Sequence, residues 1–141
     1  MILRTALACL LLGAALPAAA DETEIGKAVS VELNAAEASD AGCKLTFLVI
    51  NGHDSPIDKL VYEAVLFDVT GQVERLTLFN FGALPAARPR VRQFSVPGIA
   101  CDGLSRILIN GASTCEAPEL EPLACEAGML THSRTDIEVQ G

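Results

Sequence analysis

Between residues 28 and 139 the apolar and β-branched residues fall into short runs, 28-34, 44-51, 59-68, 72-81, 90-96, 104-110 and 129-139, separated by Gly, Pro, Asn and Asp. Runs of this length and punctuation predict strands and turns rather than helices. In the third run Leu60, Tyr62, Ala64 and Leu66 alternate with Val61, Glu63, Val65 and Phe67, the period-two pattern that sends one set to each face of a strand. Asp68-Val69-Thr70-Gly71-Gln72 follows. Gly71 tolerates the positive φ of a short hairpin loop and the Asp68 side chain caps such a turn, so the fourth run is expected to return antiparallel. Asn51-Gly52-His53-Asp54-Ser55-Pro56 and Asn110-Gly111 predict two further turns. The longest candidate helix, residues 32-41, is Ala-rich but has no apolar stripe and ends in Ser39-Asp40-Ala41-Gly42; it is expected to be a loop. Together these elements predict an all-β chain, a single antiparallel immunoglobulin-like β-sandwich of about seven strands.

The first twenty residues differ in kind. Arg4 gives a short basic start, Thr5 to Leu16 is almost wholly apolar, and Pro17-Ala18-Ala19-Ala20 places small residues where a signal peptidase reads. That order predicts a signal peptide over 1-20 and a β-sandwich domain over 21-141. An apolar run of about a dozen residues falls short of the roughly 20 that a spanning helix needs, and Asp21, Glu22 and Glu24 follow at once, so no stable membrane insertion is expected. Cys9 lies inside the apolar run, too early for a lipid-anchor site. The expected address is the bacterial periplasm or the medium, by the general secretory route.

Removing Cys9 leaves Cys43, Cys101, Cys115 and Cys125, an even number in a small exported chain, which predicts two disulfides. The two prolines between Cys115 and Cys125 suggest a loop that needs a staple, and this favours Cys115-Cys125 with Cys43-Cys101 over the other two connectivities. A four-thiolate zinc site would want Cys-x-x-Cys spacings, and none exists.

The strand Leu60 to Leu66-Phe67-Asp68 with its Gly-containing turn, preceded by Val49-Ile50-Asn51-Gly52, resembles the FxLYD family of bacterial exported domains over about residues 43-96. Ala64 stands where that family carries its first Phe, and Phe67 where it carries Tyr. The resemblance implies an immunoglobulin-like fold and no catalytic constellation.

Charge narrows the function further. Eighteen acids face ten Lys and Arg, or nine once Arg4 leaves with the signal segment. Such an excess argues against nucleic acid or an anionic membrane as partner, since affinity for polyanions comes from clustered cations. With no Trp, one Tyr and five Phe, a stacking platform is not expected. Against this background Arg88-Pro89-Arg90-Val91-Arg92 concentrates three cations in five residues. On a strand Arg90 and Arg92 share a face, and guanidinium groups grip carboxylates through paired hydrogen bonds; Arg88, Arg90 and Arg92 are therefore the candidate binding residues. The same arginines, with Pro85 and Pro89, also suit a protected sheet edge.

Other chemistry is thin. His53, Asp54 and Ser55 hold the residue types of a hydrolase triad, but sequence neighbours cannot form its relay; a serine and histidine pair would need His53 with Ser133 or His132 with Ser55, and no Gly-x-Ser-x-Gly elbow is present. The two histidines with Asp54 or Asp136 lack metal-ligand spacing. Glu116, Glu119 and Glu121 lack the Asp, Asn and Gly density of a calcium loop. No phosphate-cradling Gly motif occurs. The sequence thus predicts a non-catalytic periplasmic or secreted module that binds a protein or envelope component, an acidic one where the arginines make the contact, without cofactor or metal. The alternatives are a small serine/histidine hydrolase and a small-ligand or metal carrier.

Overall fold

The computed structural model describes residues 25-141; the expected signal segment and Cys9 lie outside them. Among the described residues there are eight strands: β1 (Val29–Ser39), β2 (Gly42–Asn51), β3 (Ile57–Asp68), β4 (Val73–Leu84), β5 (Arg90–Pro97), β6 (Leu104–Glu116), β7 (Leu130–Ser133) and β8 (Glu138–Gln140). They form two four-stranded sheets, β5-β2-β1-β7 and β4-β3-β6-β8. The hairpins β1–β2 and β3–β4 start the two sheets, and the chain then crosses between them at each later connection. Among the described residues no helix is long and apolar enough to cross a membrane.

The alternation in β3 resolves as its pattern predicts. Leu60, Tyr62, Ala64 and Leu66 are fully buried between the sheets. In β2 the inward set is Cys43, Leu45, Phe47 and Val49. Phe47 sits at the centre of the interlocked aromatics, with ring centroids 5.6 Å from Phe79, 5.7 Å from Phe81 and 6.0 Å from Phe94, within the separation at which tilted and edge-on pairs attract. Asp68 caps the β3–β4 turn by accepting at Oδ1 from the Thr70 hydroxyl (2.7 Å) and from the amides of Thr70 (2.8 Å) and Gln72 (3.0 Å). Those bonds, the Thr70 hydroxyl first, hold its carboxyl below the usual aspartate range. Gly71 takes φ 85° there.

Four expectations are corrected. Residues 32-41 are not a loop: β1 runs to Ser39 and pairs with β2 as far as Ser39↔Gly42, with an irregularity between Leu33 and Ala35. Ala35, Ala36 and Ala38 are too small to print an alternation, and the polar residues among them face water. Asn110-Gly111 is not a turn either. It lies inside β6, which continues to Glu116, at a register shift against Glu63 and Ala64 where Gly111 takes φ 149°; a glycine inside a strand marks such a bulge as readily as a turn. The run 129-139 is two strands that join different sheets. Between them Thr135 N–H donates to Ser133 Oγ (3.1 Å) and Ile137 N–H to Thr135 Oγ1 (3.0 Å), local bonds that divert the backbone from a ladder. Finally, the sandwich is not wholly antiparallel: β7 pairs parallel with β1, and β8 parallel with β6.

Both disulfides join the expected partners. Cys43–Cys101 ties the start of β2 to a short 3-10 turn, Cys101–Gly103, that leads into β6. Cys115–Cys125 ties the end of β6 to the Pro-containing loop after it.

Candidate functional site

The arginine cluster begins where the chain leaves β4 and crosses to β5. That crossover is pinned through Asn51, a buried side chain with every group engaged. Its Nδ2 donates to the carbonyls of Ser55 (2.9 Å) and Leu84 (3.1 Å), its Oδ1 accepts from His53 N–H (3.0 Å), and its carbonyl accepts from Ala87 N–H (2.8 Å). Ala87 is held at φ 58°, a left-handed conformation that a non-glycine residue keeps only where its surroundings impose it. Gly52 completes the anchor, because a Cβ there would stand 2.2 Å from the Gly26 carbonyl oxygen.

From this anchor the chain enters β5, an edge strand that among the described residues pairs only with β2. Arg90 lies opposite Val49 and Arg92 opposite Phe47, so both arginines sit on the inward face with Phe94 and Val96. Their uses differ. The Arg92 guanidinium reaches across the seam to β4, where Nε donates to Phe81 O (2.7 Å) and Nη2 to Ala83 O (3.0 Å). Arg75 of β4 reaches the opposite way, Nη1 to Pro97 O at 2.8 Å. Two edge strands in different sheets are thus stitched by two arginines, which supply donors to carbonyls that an edge strand leaves unpaired. Replacing Arg92 by Ala should cost about 2 kcal/mol, the scale of hydrogen bonds from a charged donor, read as a lower urea midpoint; an unchanged midpoint would show the seam holds without it.

Among the described residues Arg90 donates only to the adjacent Pro89 carbonyl (3.0 Å), and Arg88 is exposed. The ion pairs of the described residues are Lys27–Asp54, Lys44–Glu37 and Arg134–Glu32, so neither Arg88 nor Arg90 is paired with a carboxylate among them. Beside them opens a groove of about 630 Å3 lined by Ile25, Lys27, Ile50, Asp54, Ala87 and Pro89. The hydrogen bond and charge of Lys27 hold the Asp54 carboxyl below its ordinary range. The groove's apolar walls adjoin the Lys27–Asp54 ion pair, and the lining residues Ala87 and Pro89 are chain neighbours of Arg88 and Arg90.

The remaining candidates do not assemble. His53 is buried with Nε2 2.8 Å from the Ala124 carbonyl, where it anchors the loop closed by Cys115–Cys125. Ser133 Oγ lies 3.0 Å from Thr135 Oγ1, and His132 is exposed on β7. Neither expected serine and histidine pairing is hydrogen-bonded among the described residues. Glu116, Glu119 and Glu121 stay in solvent, while Glu126 turns back to accept from Ala112 N–H at 2.7 Å. Among the described residues no group of three or more His, Cys, Asp and Glu side chains is placed to hold a metal ion. Tyr62 donates its hydroxyl to the Cys125 carbonyl, and burial pushes its phenol far above the usual range.

The groove and the Asn51 anchor are not foreseen from the sequence. The one signal for the anchor is Asn51-Gly52 itself, which predicts a turn but not a buried hub. Comparison of the chain with protein-family models, with curated proteins and with solved structures returns no match.

Proposed function

We propose that the chain is a non-catalytic binding module, exported to the periplasm or the medium, that captures an acidic extended segment of a partner protein at the β5 edge. The observation that carries this reading is the placement of Arg88 and Arg90, two cations without carboxylate partners among the described residues, at the start of an edge strand whose neighbouring Ala87 and Pro89 line an apolar groove. An edge accepts a partner strand through main-chain hydrogen bonds while side chains select it, and in a chain with such an acid excess two clustered arginines select an acidic segment. The two disulfides support the oxidising compartment. Arg92 belongs to this surface in sequence, but its guanidinium serves the seam, so it contributes by holding β5 in place.

Replacing Arg88 and Arg90 together by Ser should weaken capture of envelope proteins by the immobilised mature domain about tenfold, the equivalent of roughly 1.4 kcal/mol, and leave the melting temperature nearly unchanged. Capture equal to that of the unaltered domain would overturn the reading. The groove's volume also falls in the range of small-molecule sites, which favours small-ligand carriage as the second reading. Mass spectrometry of ligand released from the purified domain separates the two.

A further inference from the structure

The outer face of the second sheet is unusually apolar for a sheet surface facing water. Leu76 and Leu78 of β4 are 61% and 58% exposed, and Val73 is 54% exposed. The register sets Leu76 beside Val65 and Val65 beside Leu108, so one apolar row crosses three strands. In the next row Phe67 lies between Val73 and Arg106. An antiparallel sheet with one solvated face ordinarily alternates polar residues outward, and a contiguous apolar patch on such a face marks an interaction surface.

The charges on this face indicate what covers it. The Arg106 guanidinium carbon lies 4.0 Å from the Phe67 ring centroid. Its Nε is buried without a hydrogen-bond partner, and no carboxylate of the described residues forms an ion pair with it. On the opposite flank of the apolar row, two strands away on β4, Glu74 is exposed and also outside those ion pairs. Glu63, on the central strand, is engaged by Asn110 Nδ2 at 2.6 Å. Beyond Arg106, on β8, the exposed Glu138 lies opposite it in the register but accepts from Gln140 Nε2 at 2.8 Å and forms no ion pair with it. A surface with a cation on one side of an apolar strip and an acid on the other can meet a second copy of itself under a two-fold axis.

We propose that this face is the contact between two copies of the chain, packed sheet against sheet with the two-fold axis parallel to β3. That operation preserves position along the strands and reverses their order. Val65 meets its own copy, Leu76 meets Leu108 of the other copy, and Arg106 meets Glu74 of the other copy, each pair occurring twice. The twist of the sheets sets such packings near 30° from parallel, which keeps the central row in contact and leaves the two ion pairs at the rim. The β5 edge and its groove belong to the other sheet and stay open in this dimer.

Sedimentation velocity of the disulfide-intact mature protein, from micromolar to millimolar concentration, tests the proposal. A concentration-dependent dimer is expected. Leu76→Lys should weaken it about thirtyfold or more, the scale of losing a central contact. Arg106→Glu alone should also weaken it, and Arg106→Glu combined with Glu74→Arg should restore it. A monomer at every concentration overturns the proposal and leaves the face to a different protein. A dimer indifferent to Leu76→Lys, open-ended association beyond a dimer, or a charge-reversed pair that fails to restore assembly overturns it equally.

Discussion

Alanine in place of both Cys43 and Cys101 is expected to lower the free energy of unfolding by about 4 kcal/mol, against about 3 kcal/mol for the Cys115 and Cys125 pair, on the chain-entropy treatment of cross-links. The order follows from the loops closed, with sequence separations of 58 and 10. Packing reinforces it. The shorter loop keeps other anchors when its bridge is removed, since His53 and Tyr62 still bond its carbonyls and Glu126 still reaches Ala112. The longer bridge instead joins a fully buried Cys43 to a 3-10 turn that contains no buried residue of its own. Urea denaturation followed by circular dichroism measures both, a suitable probe because the chain has no Trp and a single Tyr. A larger loss from the Cys115 and Cys125 pair would show that the loop, rather than the β5–β6 crossover, limits stability.

Phe47→Ala should be of similar size, about 4 kcal/mol, the usual range for removing a buried phenylalanine. Phe47 lies on β2, while two of its three aromatic neighbours, Phe79 and Phe81, come from the opposite sheet. Its removal opens a space that neither sheet can fill alone, because both backbones are fixed by their ladders. Phe47→Leu should retain most of that contact, at about 1 to 2 kcal/mol. A loss below about 1 kcal/mol for the alanine variant would mean that the sheets close over the gap.

The first prediction rests on a cysteine pairing legible in the sequence, whereas the cross-sheet contacts of Phe47 emerge only in the fold. The inward set of β3 is legible because apolar side chains at every second position have one explanation, a strand with a dry face. The cysteine pairing is legible because a Pro-containing segment flanked by cysteines suits a local bridge, after which elimination supplies the other. The far half of β1 is illegible for the opposite reason: alanine and small polar residues fit either environment. The break in the last run was hidden by hydroxyls at Ser133 and Thr135, which suit a strand in composition and interrupt it only through the bonds they make. Within the arginine cluster, the shared face of Arg90 and Arg92 follows from strand geometry. Their division of labour does not, because Arg92 is bound by main-chain carbonyls of Phe81 and Ala83, and every residue carries a carbonyl. The groove is equally silent, since its walls come from three separated segments around residues 25, 50 and 87.

The switch of the last strands between sheets has a kinetic consequence. β7 is completed by β1, with Ser30 against Leu130, and β8 by the strand that begins at Leu104. The first of these contacts joins residues from opposite ends of the described chain, and contacts of such sequence separation form slowly because a long loop must close before they contribute. Until then each sheet presents an open flank at β1 and β6, unpaired strands of the kind that seed intermolecular pairing. The interval in which the domain is most exposed to aggregation is therefore late, after the central hairpins have formed, and a holding chaperone or a shielding binder would protect it best at those two strands.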